Sequence, residues 1–398
     1  MLVNRFPCIA AVALLQACEA PIHNDQATIA DSAGVLLISP SDVRSPISWI
    51  VSDVPVLRLD ATDQGIELYR VTGALRLAHN RYAVANSGSQ QVLLFEADGS
   101  FLRSVGRRGD GPGEFQEIAL LRRYRGDSLA IFDFRSSRIT VLGPQGAIGR
   151  VVSLRPASPD VPLVSLVDVF ADGRFVVQGV DFGFTDGPGV VRRPYTIYTY
   201  NPDGTVAATL GVFPGFQFFR GSSPRSFGAV PFGRNTLFRA HGNRLFVGTN
   251  DTYEYQVWES DGNLRSIVRL SRQNRTVDDA TISEYLVSRR REIAAGPPAT
   301  RADRLETLHE LPFPDTYPAY AGMLIDRDGY VWLEQYRAPA ETNNSHLVIS
   351  SDGRLVGSLQ LPAHFRPFDI GADYLLGKQT DEMELEHVVV YGLARRPS

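Results

Sequence analysis

The sequence predicts an all-β fold, a six-bladed β-propeller of four-stranded antiparallel blades. Short apolar segments recur along the chain, tight turns rich in Gly, Asn and Asp separate them, and the unit repeats about every 40–50 residues. The first set of turns is His79-Asn80-Arg81, Gly126-Asp127, Asp172-Gly173, Gly242-Asn243, Asp328-Gly329 and Gly371-Ala372. The second set is Asp98-Gly99, Gln145-Gly146, Asp203-Gly204, Asp261-Gly262 and Asp352-Gly353. Two hairpin turns per unit imply four strands per blade.

The first two strands of each unit are almost continuously apolar, and the outer two alternate, as expected for inner and outer strands of a blade. The predicted strands of blade one are 74–78, 82–85, 91–95 and 101–106. Those of blade two are 119–123, 129–132, 138–142 and 148–154, and those of blade three are 166–170, 175–178, 196–200 and 206–210. Those of blades four and five are 237–240, 245–248, 255–259, 264–270; and 322–326, 331–335, 346–350, 355–361.

Blade six has only three strands from its own end of the chain, residues 366–370, 374–379 and 387–392. An earlier segment must supply the fourth strand and close the ring, which removes the exposed sheet edges. Residues 34–39 and 54–60 are the candidates, and we favour 54–60.

A helical insertion is predicted over residues 276–311, between blades four and five. The turn signals stop there, and Ile282, Tyr285, Leu286 and Ile293 recur at helical spacing. Gly296-Pro297-Pro298 is expected to end this helix, and a second short helix is expected over 301–309.

The N-terminus is typical of an exported lipoprotein. Arg5 precedes a short apolar run, and Leu15-Gln16-Ala17-Cys18 resembles a bacterial lipobox, in which the cysteine carries the lipid. We therefore divide the chain into a signal peptide (1–17), a tether and N-terminal segment (18–45) and a propeller (46–398), with Cys18 as the lipid attachment site. The alternative is an ordinary signal peptide with a chance Ala-Cys. The expected location is the bacterial cell envelope, on the periplasmic side of the outer membrane or at the cell surface.

The net charge of −4 and the pI near 6.0 give little support to nucleic-acid binding. The only other cysteine, Cys8, lies in the predicted signal peptide, so no disulfide is expected in the mature chain.

The segment Gly106-Arg107-Arg108-Gly109-Asp110-Gly111-Pro112-Gly113-Glu114-Phe115, after the Asp98-Gly99 turn, resembles the linker of NHL-type repeats. The chain is similar, over about residues 45–393, to six-bladed propeller proteins found among bacterial lipoproteins. The resemblance implies the fold much more than the function, because such propellers include calcium-dependent lactonases, lyases, RNA-binding modules and interaction scaffolds.

The long segments 179–194, 212–232, 271–320 and 336–345 all fall on one face of the predicted disc. Because binding residues are often carried on loops held by a rigid scaffold, we expect that face to be the functional one. Its candidate binding residues are Phe216, Phe218, Phe219, Arg220, Tyr253, Tyr317, Tyr336 and Arg337. The alternative is that the rings of residues 216–219 form a satellite core beneath the loop.

Four oxygen-bearing residues just after second strands are weak candidates for a Ca²⁺ site at the channel mouth: Asn86, Asp133, Asp251 and Glu334. The alternative is that they cap turns. No cofactor is otherwise expected, and no nucleophile elbow, P-loop or Rossmann glycine pattern is present in the sequence.

These observations favour a membrane-anchored extracytoplasmic module that binds a protein, glycan or peptide through its loop-rich face, and an enzyme is less favoured. The alternative is a calcium-dependent hydrolase or lactonase-like enzyme with a site at the mouth of the central channel.

Overall fold

The structure is a computed structural model that describes residues 22–24, 27–40, 47–181, 187–223, 225–339 and 341–397. The predicted signal peptide and Cys18 lie outside these residues. Within them, no helix has the length and hydrophobicity that crossing a membrane requires.

Six antiparallel sheets follow one another along the chain, each made of strands that neighbour in sequence. Blade one consists of Val71–Arg76, Tyr82–Asn86, Gln91–Phe95 and Phe101–Val105. Blade two consists of Ile118–Arg123, Leu129–Asp133, Arg138–Leu142 and Ile148–Ser153. Blade three consists of Leu163–Val169, Phe175–Val180, Gly189–Tyr200, Val206–Arg220 and Phe227–Ala229. Blade four consists of Leu237–His241, Arg244–Gly248, Glu254–Glu259 and Leu264–Arg269. Blades five and six consist of Tyr320–Ile325, Val331–Gln335, Asn344–Ile349 and Leu355–Leu361, and of Phe365–Ile370, Tyr374–Thr380 and Glu386–Pro397.

Each pair of adjacent blades encloses its own apolar cluster, including the pair formed by blades six and one. Between blades one and two, for example, Leu75 and Ala83 pack with Leu121 and Ile131. Because the sheets stack face to face around a ring, burial of these side chains holds each blade against both neighbours. The chain is a six-bladed β-propeller, as the sequence predicts.

The ring is closed by the N-terminal part of the chain. Leu57–Leu59 pairs antiparallel with Val388 to Val390 in the last strand of blade six, which confirms the favoured segment 54–60. A second segment that the sequence analysis missed, Ile47–Val51, pairs with the end of the same strand.

The other candidate for closure, residues 34–39, lies elsewhere. Val35–Pro40 forms a hairpin with Ala27–Ser32 and pairs in parallel with Leu264–Arg269, the outer strand of blade four. The candidate is therefore wrong for blade six, and the reason is packing: Ile38 is buried in the cluster between blades four and five. Ile22–Asn24 pairs with Ala27–Ser32 at the edge of this sheet.

Blade three departs most from the predicted boundaries. Its third and fourth strands pair along most of their length, from Tyr200 opposite Val206 to Gly189 opposite Arg220. Much of the segment predicted as a loop over 212–232 is therefore strand. We refer to the part beyond the blade, residues 189–194 and 214–229, as the blade-three arm.

The helical insertion lies where the sequence predicts it. Helix α1 spans Asp279–Ala295 and helix α2 spans Pro298–Glu310. The Asp278 carboxylate caps α1 by accepting a hydrogen bond of 2.8 Å from the backbone N–H of Thr281. The second helix begins three residues earlier than expected because a proline is well suited to the first helical position.

Candidate functional site

Connectivity divides the disc into two faces. The turn face carries the first-to-second and third-to-fourth strand turns, and the loop face carries the second-to-third turns and the connections between blades. The blade-three arm, both helices and residues 336–343 are all parts of connections on the loop face.

The insertion is anchored to the loop face by an aromatic cluster. Phe232, in the connection from blade three to blade four, lies 5.2 Å from Tyr317 and 5.5 Å from Tyr285 of α1 between ring centroids. Tyr317 stacks on Tyr336 at 5.2 Å and its hydroxyl donates to Thr281 Oγ1 at 3.1 Å. Two predicted site residues, Tyr317 and Tyr336, are thus brought together, and they form the base on which α1 rests.

Helix α2 is fixed to the blade-three arm instead. The Glu310 carboxylate accepts hydrogen bonds from the Ser222 backbone N–H at 2.8 Å and from the Ser226 hydroxyl at 3.2 Å. The hydroxyl and the backbone N–H of Ser222 lower the pKa of Glu310, so this carboxylate is ionised at neutral pH. The arm and the insertion therefore form one continuous surface.

The phenylalanines of residues 216–219 contribute mainly to packing. Phe219 is only 7% exposed, and Phe216 packs against Tyr195 and Phe218, with centroid distances of 6.5 and 5.9 Å. Phe218 lies 6.0 Å from Phe227. This arrangement supports the satellite-core alternative for Phe219, while Arg220, at the end of the arm, is partly buried.

The remaining predicted binding residues also have partners within the protein. Tyr253 is half-buried against the cluster between blades four and five, and burial raises its pKa. Arg337 pairs with Glu334 at 2.9 Å. These residues lie on the loop face.

Of the weak metal candidates, Asn86 and Asp133 occupy equivalent positions at the ends of second strands. Asn86 Oδ1 accepts a hydrogen bond of 2.9 Å from the Tyr69 N–H, and Asp133 Oδ2 accepts one of 2.8 Å from the Gln116 N–H. Both side chains are buried and accept hydrogen bonds from the backbone of connecting loops, which agrees with the alternative that these residues cap turns. Asp251 instead binds Arg192 at 2.7 Å.

Among the described residues, no three His, Cys, Asp or Glu side chains form a group that could hold a metal ion. The calcium-dependent alternative stays a prediction, and a rise in Tm with millimolar Ca²⁺ would support it.

A cleft between blades one and two was missed by the sequence analysis. It has a volume of about 420 Å³ and is lined by Arg70, Gln90, Arg108, Gly109, Asp110, Gln116, Glu117 and Arg135. Every lining segment belongs to a second-to-third turn or to a connection between blades, so the cleft opens on the loop face.

The linker segment that resembles NHL repeats builds one wall of this cleft. Its Phe115 is buried between blades one and two, and Arg107–Arg108 pairs in parallel with Glu114–Phe115. The Glu114 carboxylate accepts from the Gly111 N–H at 2.9 Å and pairs with Arg107 at 2.6 Å, and these contacts lower its pKa. The loop is therefore rigid at its ends while Arg108 is exposed to solvent.

The cleft carries both signs of charge. Arg70, Arg108 and Arg135 line it together with Asp110 and Glu117, and the Arg135 guanidinium lies 3.8 Å from the Glu117 carboxylate. Such a surface offers several hydrogen-bond donors in the planar geometry that suits carboxylates and other oxyanions. The intact Gly-Pro-Gly-Glu-Phe linker with its two arginines was the sequence signal that could have indicated it.

Comparison with known proteins gives the fold and no activity. Residues 32–141 match a family model described as a 6-bladed beta-propeller. No curated protein matches the chain at a significant level.

Three solved structures are distantly similar. A Bacteroides fragilis protein described as a candidate exported protein is 11% identical, with 90% of this chain and 99% of that chain covered and a TM-score of 0.47. A member of the DUF4221 family from Bacteroides vulgatus is 10% identical, with 88% and 99% covered and a TM-score of 0.46. A gluconolactonase from Xanthomonas campestris is 14% identical, with 89% and 99% covered and a TM-score of 0.38. These similarities are too distant to assign an activity to this chain.

Proposed function

We propose that the protein is a lipid-anchored, extracytoplasmic binding module that holds a protein, peptide or glycan through its loop face. One observation carries the proposal: the blade-three arm, the helical insertion and the cleft between blades one and two all lie on that face. The opposite face carries short hairpin turns. Additional chain on one side of a rigid scaffold is typical of a recognition surface.

The chemistry of the cleft indicates the kind of group that it would bind. Three guanidinium groups line it, and Arg135 is 68% exposed at its side chain and therefore accessible to a ligand. An acidic group of the partner, such as a carboxylate of a peptide or of an acidic glycan, would gain charge-assisted hydrogen bonds there. Asp110 and Glu117 would disfavour ligands with a high density of negative charge.

The experiment is affinity capture from native membranes with three forms of the protein. The wild type is compared with a loop-face variant, Arg108→Glu with Arg135→Glu, and with Arg265→Glu as a control. Arg265 is exposed at the outer strand of blade four, away from the cleft. We expect the control to retain the captured molecule and the loop-face variant to lose it.

All three arginines are exposed, so the variants are expected to fold with nearly unchanged Tm. If the loop-face variant captures the same molecules as the wild type, the cleft is not the binding surface. If the control loses them equally, the effect is one of net charge and the proposal fails as well.

Anchoring through Cys18 is proposed on the sequence alone and is tested separately. A palmitate analogue supplied to expressing cells should label the wild type and not Cys18→Ser. The variant should also leave the membrane fraction without detergent. Labelling of the variant would contradict lipid attachment at Cys18.

A further inference from the structure

Charged residues lie on the innermost strands of the blades, which border the central channel. The innermost strands of four blades contribute them: Arg122 and Arg123 from blade two, Asp168 from blade three, Arg239 from blade four, and Arg366 and Asp369 from blade six. Strand pairing with the neighbouring second strands places Arg122, Asp168, Arg239 and Asp369 at equivalent positions of their blades.

The two aspartates are already satisfied by the protein. Asp168 Oδ1 lies 3.2 Å from Arg122 Nε, and its Oδ2 accepts from the backbone N–H of Ala240 at 2.9 Å. Asp369 Oδ2 lies 2.6 Å from Arg123 Nη2 and accepts from the Tyr374 hydroxyl at 2.8 Å. Their negative charges therefore balance two of the four arginines.

Arg239 forms no ion pair with a described residue, and the Asp168 carboxylate that favours its charged form is already paired with Arg122. Its Nη1 donates to the Phe238 carbonyl at 2.7 Å, but its Nε is buried and has no hydrogen-bond acceptor among the described residues. Within the described part of the chain, no carboxylate forms an ion pair with Arg239 or with Arg366. Burial lowers the pKa of Arg239 to about 10, and repulsion from Arg122 acts in the same direction, so the group is still charged at neutral pH.

The strand positions of Arg122, Arg239 and Arg366 show where these groups lie. Each residue belongs to the innermost strand of its blade, and blades two, four and six alternate around the ring. Three arginines from alternate blades therefore border the same channel. A buried guanidinium N–H with no acceptor is costly, and an anion placed beside it would remove that cost.

We propose that the central channel holds an oxyanion site, in which Arg239 and Arg366 bind a small carboxylate or phosphate beside the Arg122–Asp168 ion pair. The Arg239 Nε–H supplies a donor that no described residue accepts. A guanidinium group presents parallel N–H donors that match the oxygens of both kinds of anion. The site is separate from the loop-face cleft and does not depend on the function proposed above.

The test measures binding of inorganic phosphate and, separately, of acetate by calorimetry at constant ionic strength, with chloride as the reference anion. We expect saturable binding of at least one oxyanion to the wild type and a rise in Tm with its concentration. In Arg239→Met, affinity should fall by about tenfold or more, because charge-assisted hydrogen bonds are lost. Arg265→Met, an outer-strand change in the same blade, should bind like the wild type.

Without an added oxyanion, Arg239→Met should be at least as stable as the wild type, because it removes a buried N–H donor that has no acceptor among the described residues. If it does not fold, Arg366→Met provides the same test, since Arg366 is exposed at the start of its strand. The proposal is overturned if the wild type responds to neither oxyanion beyond its response to chloride, or if the folded channel variant binds as tightly as the wild type. Binding of phosphate but not acetate, or the reverse, identifies the class of anion.

Discussion

The aspartate–glycine turns show how single residues set the geometry of the blades. In the turn between the third and fourth strands of blade one, Asp98 Oδ1 accepts a hydrogen bond of 3.0 Å from the Ser100 N–H. The Ser100 hydroxyl adds another, and the two bonds lower the pKa of Asp98. Gly99 follows with a φ of +86°, a conformation that L-residues with a Cβ rarely adopt.

Gly99 also contacts the segment that closes the ring. A Cβ at this position would lie 2.5 Å from the Arg58 carbonyl oxygen, whereas at Gly126, with a φ of +61°, it would meet nothing within 4 Å. We expect Gly126→Ala to lower the free energy of unfolding by about 1 kcal/mol. Gly99→Ala should lower it by a further 1–3 kcal/mol, roughly, because the clash displaces Leu57–Leu59. Denaturant titrations of both variants check this, and equal losses would contradict it.

His346 gives the protein a specific sensitivity to acid. It is 2% exposed, its Nδ1 has no hydrogen-bond partner among the described residues, and burial lowers its pKa to about 4. The unfolded chain takes up a proton at this side chain near pH 6.5 and the folded protein does so only near pH 4, so stability falls as the pH is lowered through this window.

We expect the wild type to lose up to about 3 kcal/mol of stability between pH 6.5 and pH 4 through this group. His346→Gln should lack that component, and His309→Gln, which changes an exposed histidine of α2, should retain it. Unfolding free energies measured at several pH values provide the comparison. Parallel pH profiles for the wild type and His346→Gln would exclude the role of His346.

At the scale of elements, the helical insertion depends on the aromatic cluster beneath it. Neither helix has a wide apolar face of its own: Ile293 is the one buried residue of α1 and Leu308 that of α2 among the described residues. Docking of α1 therefore relies on Phe232, which contacts four other rings. Aromatic contacts of this kind add to the burial of apolar area.

Phe232→Ala should release α1, while the Glu310 contacts keep α2 on the blade-three arm and the propeller stays folded. The truncation removes a buried ring, which costs about 3 kcal/mol, and the loss falls on the helices rather than on the blades. Limited proteolysis should then cut within Asp279–Glu310, and Leu305→Ala, at an exposed position of α2, should not increase cutting there. Resistance of Phe232→Ala to protease would show that other contacts hold the helices.

Sequence periodicity predicted the elements well where local chemistry decides them. The Asx-Gly turns predicted the hairpins, and the helical spacing from Ile282 with the stop at Gly296 predicted α1. Periodicity could not assign Val35–Pro40 to blade four, because its pairing is a parallel contact with a strand more than 200 residues later in the chain. It also missed the extent of the blade-three arm, since paired strands outside a blade carry the same residue types as an irregular loop.

The candidate sites were less predictable for a similar reason. Aromatic residues of the loop face were favoured as binding residues, but the sequence does not reveal that Phe219 and Tyr317 are buried. Arg108 and Arg135 are separated by a whole strand pair, and blade five lies between the blades of Arg239 and Arg366. Only the closed ring brings such residues together, so spacing along the chain carries no signal for them.

At the scale of the whole molecule, stability depends on closing the ring. Trp49 is buried between blades five and six, where it lies 5.3 Å from Trp332 between centroids and 4.2 Å beneath the Arg395 guanidinium. Leu59 is 2% exposed in the cluster between blades six and one. Ile47–Val51 thus covers the interface between blades five and six, and Leu57–Leu59 covers the interface between blades six and one.

Two truncations distinguish the effect of the ring-closing strands on stability from that of the N-terminal hairpin on blade four. A chain that begins at residue 41 loses the hairpin on blade four and with it Ile38, which should cost about 2 kcal/mol and leave a single unfolding transition.

A chain that begins at residue 61 also loses Ile47–Val51 and Leu57–Leu59, which exposes the edge of Glu386–Pro397 and opens two interblade clusters. An uncovered edge strand promotes association, so this chain should aggregate or lose cooperative unfolding. Calorimetry and size-exclusion chromatography measure both effects. A monomeric chain from residue 61 with the Tm of the longer form would show that the ring does not need its N-terminal strands, because blades one and six would then hold together by side-chain burial alone.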